Sequence, residues 1–175
     1  MRPWVKGAVI AAVQVALVAS LGAKLLYDRA TRPRVWALTT SYDPNLPVRG
    51  RYVSLQIVVE PRNIPETERG AAPKFQSPVT LHVEDDRLVA EEDPEAVRYD
   101  PSALHVRTFS RGGAALTVLD RPVAFYIPED IPDPSRRPPG EELWAEVTIP
   151  KKGPPRPIRL GVKQGDGPIV PLELR

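Results

Sequence analysis

The stretch Asp43-Pro44-Asn45-Leu46-Pro47-Val48-Arg49-Gly50-Arg51-Tyr52-Val53-Ser54-Leu55-Gln56-Ile57-Val58-Val59 runs from a proline-stiffened approach, through a glycine, into strand chemistry. Val53, Leu55, Ile57 and Val59 alternate with Tyr52, Ser54 and Gln56, which is the period of a β-strand with one face on a core. Pro44 and Pro47 restrict the backbone on the way in. Gly50 supplies either a positive φ or a close backbone approach at the turn. We expect the first long strand of a folded domain to begin at Tyr52.

Working outward, the same signals recur on both sides. Val35 to Thr40 reads as a strand, and Pro61 to Pro78 as a loop without apolar period. Val79 to Val83 and Arg87 to Ala90 form a hairpin across an Asp85-Asp86 turn. Leu104 to Phe109 and Ala114 to Leu119 flank a turn at Arg111-Gly112-Gly113, and Val123 to Ile127 follows Pro122. After a charged loop from Pro132 to Gly140, Leu143, Ala145, Val147 and Ile149 alternate inward. Ile158, Leu160 and Val162 alternate again, and Gly165-Asp166-Gly167 turns the chain into a closing strand from Ile169 to Leu174. Beyond Tyr27 only Glu91 to Val97 offers a short helix. About eight or nine short strands with loops between them define an all-β sandwich or barrel.

The N-terminal segment differs in kind. Gly7 through Ala23 carries no charge, and Val5 to Tyr27 would reach about 30 Å or a little more as a helix, enough to cross a bilayer. Lys6 and Lys24 can extend to the two surfaces, with Trp4 and Tyr27 in the interfacial belts. The segment is apolar on all sides, unlike a core helix. We read residues 1-27 as a transmembrane signal-anchor helix contacting the bilayer through residues 5-27. Residues 28-33 are then a linker and 34-175 the β domain. The alternative is a signal peptide cleaved after Val18-Ala19-Ser20, against which Leu25 and Leu26 continue the apolar run. Lys24, Arg29, Arg32 and Arg34 outnumber Arg2 and Lys6, which argues for a cytoplasmic domain by charge. A short N-terminus before a long domain argues the reverse, since long domains translocate largely regardless of charge. The expected location is the cell membrane, single-pass, with the C-terminal domain extracytoplasmic.

Composition narrows the chemistry. The chain holds 24 basic and 22 acidic residues, a formal net charge of +2. No clustered basic face with aromatic or motif support marks a nucleic-acid binder. The absence of cysteine removes disulfides, thiolate metal sites and cysteine nucleophiles. Proline, at 22 residues, shortens helices and stiffens loops. No phosphate loop, dinucleotide fingerprint or hydrolase elbow occurs, so no cofactor is expected.

The run Gly50-Arg51-Tyr52-Val53-Ser54-Leu55-Gln56-Ile57 resembles the signature of the GDYXXLXY family of membrane-anchored proteins. Gly50, Tyr52 and Leu55 fit; Arg51 stands where the signature has Asp, and Ile57 where it has the final Tyr. The apolar N-terminal segment, the Asp43-Pro44 approach, the block Phe125-Tyr126-Ile127-Pro128-Glu129 and the terminal hairpin from Ile158 to Leu174 extend the likeness over nearly the whole chain. The resemblance implies an anchored domain outside the cytoplasm, often encoded beside a multi-pass membrane protein. It brings no assigned activity and no catalytic residues, and the Asp-to-Arg change removes the octet's only acid.

Candidate sites follow from these readings. Gly50 is a structural turn residue. Tyr52, half-buried in its strand, together with Arg51, Tyr126 and Glu129 is the candidate binding set. Ser41, before Pro44 and a glycine-led strand, resembles the nucleophile region of membrane-anchored signal peptidases. Such enzymes need a desolvated lysine base, and Lys74, Lys151 and Lys152 all lie in polar loops. His82 and His105 are expected at strand surfaces or rims without a second ligand. The acids from Asp85 to Glu95 lack the spacing of a calcium loop, so no metal site is expected. Trp36 and Trp144, if exposed, would suit an envelope carbohydrate-binding module. The expected function is a membrane-anchored binding or assembly module for a membrane-protein partner, not an enzyme. The alternatives are a serine/lysine hydrolase and the carbohydrate-binding module.

Overall fold

The computed structural model describes residues 3–41, 52–64, 78–93, 95–96, 100, 103–111 and 113–174. The chain is mainly β with one N-terminal helix. It divides into two units, Met1–Arg32 and Pro33–Arg175.

The first unit is the helix α1 (Pro3–Thr31). Within it Trp4–Tyr27 is long and apolar enough to span a membrane, about 36 Å at the helical rise, and none of its most apolar window is buried. Leu17, Val18, Leu21 and Leu26 are all at least 60% exposed to the surroundings. Their side chains have no protein core to enter, which is the pattern of a segment whose solvent is lipid. The helix runs on through residues 28–31, so the stretch read as a linker is mostly its last turn. Tyr27 accepts a bond from the Thr31 hydroxyl through its carbonyl oxygen at 2.8 Å, and the turn closes before Pro33, where helix is disfavoured.

The second unit is built from β1 (Arg34–Ser41), β2 (Tyr52–Ile57), β3 (Glu60–Arg62), β4 (Val79–Glu84), β5 (Arg87–Glu92), β6 (Val106–Arg111), β7 (Ala114–Leu119), β8 (Val123–Tyr126), β9 (Glu141–Thr148), β10 (Arg156–Gln164) and β11 (Val170–Pro171). Six strands form one sheet in the order β11-β10-β9-β1-β2-β8; β3-β5-β4 and β6-β7 form two smaller ones. The large sheet curls until β8, at one edge, approaches β10 near the other. The β6-β7 ribbon is stitched to β2 by the Val58–Val118 bridge and by the Val59 N–H donating to the Thr117 carbonyl at 2.9 Å.

Alternation decides which side of the large sheet is inside. Val53, Leu55, Ile57 and Val59 are all buried, as are Leu143, Ala145, Val147 and Ile149. They join Val35, Ala37, Leu119 and Leu160 in one apolar cluster that Leu88 and Ala90 of the second sheet also enter. Gln56, on the opposite face from Leu55, is nevertheless buried, and its side-chain amide donates to the Leu119 carbonyl at 3.2 Å. That bond compensates the lost hydration of the amide.

Two sequence expectations change. Pro61 and Arg62 belong to β3, which pairs in parallel with β5; a proline is tolerated there because β3 is an edge strand. Glu91 and Glu92 extend β5, so the helix expected from Glu91 does not start there. Gly50 and Arg51, with the proline-rich approach and the 65–77 loop, lie outside the described residues.

Candidate functional site

Tyr52 opens β2 and Tyr126 ends β8, and the antiparallel register sets them opposite one another. Their ring centroids are 6.2 Å apart with the planes tilted by 60°, within the range of favourable aromatic pairs. Because Val53 and Leu55 turn to the core, the same alternation turns Tyr52 outward. Tyr126 is 78% exposed and Tyr52 43%. An aromatic pair this open, across the last two strands of the sheet, offers apolar area and two hydroxyls to a partner. Glu129 is exposed in the turn after Pro128. The structure thus brings Tyr52 and Tyr126 together, while Arg51 falls outside the described residues.

A second arrangement lies on the outer face of the large sheet. Trp36 and Leu38 of β1, Trp144 and Glu146 of β9, and Arg159, Gly161 and Lys163 of β10 are brought level by the strand registers. Arg159 sits over the Trp36 ring at 5.4 Å and Lys163 over the Trp144 ring at 5.6 Å. Arg159 Nε also donates to Glu146 Oε2 at 2.5 Å. Glu146 is 8% exposed, so its charge needs this partner. Trp144 Nε1 donates to Glu142 at 3.1 Å.

Between this face and the β4–β5 hairpin runs a groove of about 760 Å³. Trp36, Leu38, Trp144 and Ile169 line one side; Val58, Leu88 and the turn residues Asp85 and Asp86 line the other. Arg87, also in the lining, donates to Glu60 at 2.6 Å. Asp85 and Asp86 both adopt positive φ, 46° and 58°. This is the pattern of a two-residue hairpin turn, in which Gly, Asn and Asp are the residues that accept a positive φ. Neither carboxylate carries a hydrogen bond or ion pair among the described residues.

The carbohydrate-binding alternative requires Trp36 and Trp144 to be exposed, and the sequence places Asp85-Asp86 in a hairpin turn. The tryptophans are half-buried, each under a cation, and the turn, exposed as expected, also lines the groove. Period-two alternation does place Trp36 and Trp144 away from the core. Which turn faces them depends on long-range packing that no local pattern encodes.

The histidines divide. His82 is half-exposed, 3.7 Å from Glu84. His105 is only 7% exposed, which corrects the rim placement expected for it. Its backbone N–H donates to Asp120 Oδ1 at 3.2 Å, Asp120 N–H returns a bond to the His105 carbonyl at 2.9 Å, and Nε2 is buried without a partner. The interlocked loop ends before β6 and after β7 account for the burial. Ser41 ends β1 opposite Leu55, and Lys151 and Lys152 are exposed on the β9–β10 connection. Exposure leaves those ammonium groups hydrated, without the desolvation a lysine base needs. Lys74 lies outside the described residues. No group of three metal-ligating side chains occurs among the described residues.

Comparison with protein-family models, curated proteins and solved structures finds no match.

Proposed function

We propose that the chain is a single-pass membrane protein whose α1 helix crosses the cell membrane and whose β domain lies outside the cytoplasm. There the domain acts as a binding or assembly module for a membrane-protein partner. The likeness of residues 50–57 to the GDYXXLXY signature agrees with this reading, as does the apolar run Trp4–Tyr27, none of whose most apolar window is buried.

The observation that carries the binding role is the Tyr52–Tyr126 pair across the last two strands of the sheet, with Tyr126 78% exposed. Tyrosine supplies a large rigid contact area with a polar tip, and such residues anchor protein interfaces. Tyr126 makes its strand pairing through the backbone, so its side chain is available for recognition. The test places a photo-crosslinking amino acid at position 126 in cells and compares it with one at Lys152, on the exposed β9–β10 connection. The reading predicts a discrete adduct with an integral membrane protein from position 126, lost when Tyr52 is changed to Ala. Adducts with lipid alone, or the same products from both positions, would contradict it.

A further inference from the structure

The groove between the outer sheet face and the β4–β5 hairpin is a second recognition surface, separate from the tyrosine pair. One wall is apolar and aromatic, from Trp36, Leu38, Trp144 and Ile169. The charges of the groove are mostly already matched. Arg87 holds Glu60 at 2.6 Å, Arg159 holds Glu146 at 2.5 Å, and Arg34 is engaged as well. Among the residues that line the groove, what remains unmatched is negative: the carboxylates of Asp85 and Asp86, which accept no hydrogen bond among the described residues, while the Lys163 ammonium lies just outside the lining, over Trp144.

The hairpin holds those two acids in the left-handed region, at φ 46° and 58°, where Gly or Asn would be accommodated more easily. Both indoles already receive a cation from the protein itself, Arg159 on Trp36 and Lys163 on Trp144. The ring faces are thus taken, and the unpaired carboxylates beside the apolar wall favour a guanidinium or ammonium group on an apolar stem.

We infer that this groove binds an extended, lysine- or arginine-bearing segment of a partner protein, with its basic side chains directed to Asp85 and Asp86 and its apolar side chains along Trp36, Leu38 and Trp144. A groove of about 760 Å³ lies within the range of sites that enclose a few residues of a ligand. The inference rests on the binding-module reading and assigns that module a second, charge-selective contact.

The test uses the full-length protein in nanodiscs of zwitterionic lipid and calorimetric titration with three acetylated, amidated peptides. These are Lys-Val-Lys-Val-Lys and its Gln-for-Lys and Glu-for-Lys counterparts, with empty nanodiscs as the blank. The protein variants are Asp85→Asn/Asp86→Asn, in which Asn keeps the turn conformation without the charge, and Asp130→Asn as a control outside the groove lining. The expected result is binding of the lysine peptide only, weakened about fivefold or more in the double variant and unchanged in the control. Weakening should be greatest at low salt. Equal binding of all three peptides, no binding of the lysine peptide, or an affinity unchanged in the double variant would overturn the inference. So would binding of chitotriose in its place, which would assign the tryptophans to a glycan. Loss of peptide binding with the position-126 adduct intact removes this groove and leaves the module reading standing.

Discussion

Trp36 lies across Gly161: a Cβ built on that glycine would sit 2.9 Å from Trp36 Cζ3 and 2.8 Å from Ile169 Cγ2. Gly161 is buried in the middle of β10 opposite Trp144, so the missing side chain is what lets the indole close over the sheet. Gly161→Ala should therefore force Trp36 and Ile169 outward. The expected loss is about 1–3 kcal/mol, the usual penalty of overpacking. Chemical unfolding measures it, and a red shift of the tryptophan emission should accompany it as Trp36 becomes wetter.

Arg159 and Glu146 make an unequal pair. The Glu146 side chain is 11% exposed, whereas that of Arg159 is 52% exposed. Removing the arginine strands a nearly buried carboxylate; removing the acid returns a mostly hydrated guanidinium to water. Arg159→Leu should cost about 1–2 kcal/mol after allowance for solvent screening, and Glu146→Gln less than that. Unfolding midpoints of the two variants and of the double variant give the order. Equal losses would mean that Glu146 has another source of compensation.

The Asp85-Asp86 turn sets stability against recognition. Replacing Asp86 by Gly relieves a left-handed position with φ 58°, and should stabilise the domain by about 0.5–1 kcal/mol. Asp86→Val should do the opposite by a similar amount or more, because a β-branched side chain is poorly accommodated there. Thermal unfolding of the two variants provides the comparison. If the glycine variant binds the lysine peptide more weakly while melting higher, the turn is held in its present form for binding.

Core and rim should behave differently. Leu160 is completely buried, so Leu160→Ala is expected to cost about 2–5 kcal/mol through lost transfer energy and the cavity left behind. Tyr126→Ala, at 78% exposure, should stay within about 0.5 kcal/mol of the parent. Denaturant titration with an unchanged slope would show that both act on the native state alone.

Much of this architecture follows from the alternation of side chains. Val53, Leu55, Ile57 and Val59 enter the core as their spacing requires, and so do Leu143, Ala145, Val147 and Ile149. The helix is equally plain, since Trp4–Tyr27 is long and apolar enough to cross a membrane. Residues buried on both faces were not legible: Glu146 and Thr148 lie opposite the inward row of β9, yet both are covered, because β9 is flanked by β1 and β10 and its outer face is roofed by long side chains. The parallel pairing of β3 with β5 escaped for a related reason. Three residues that include a proline carry no period, and only the partner strand makes them a strand. The tyrosine pair was half legible, since Tyr52 and Tyr126 each stand at the end of a strand run, but their register requires the sheet order. The groove was not legible, because its two walls come from residues far apart in sequence.

The central claim is that an uncleaved apolar helix holds this β domain on the outer side of a membrane. The chain has no cysteine, so a single Asp130→Cys variant, at an exposed turn, reports its own surroundings. The deciding measurement is labelling of intact cells with a membrane-impermeant maleimide, read on the full-length chain recovered from alkali-washed membranes. The account predicts labelling before lysis on a membrane-bound protein of unreduced mass. Labelling only after lysis, or a shortened product released into the soluble fraction, would contradict it.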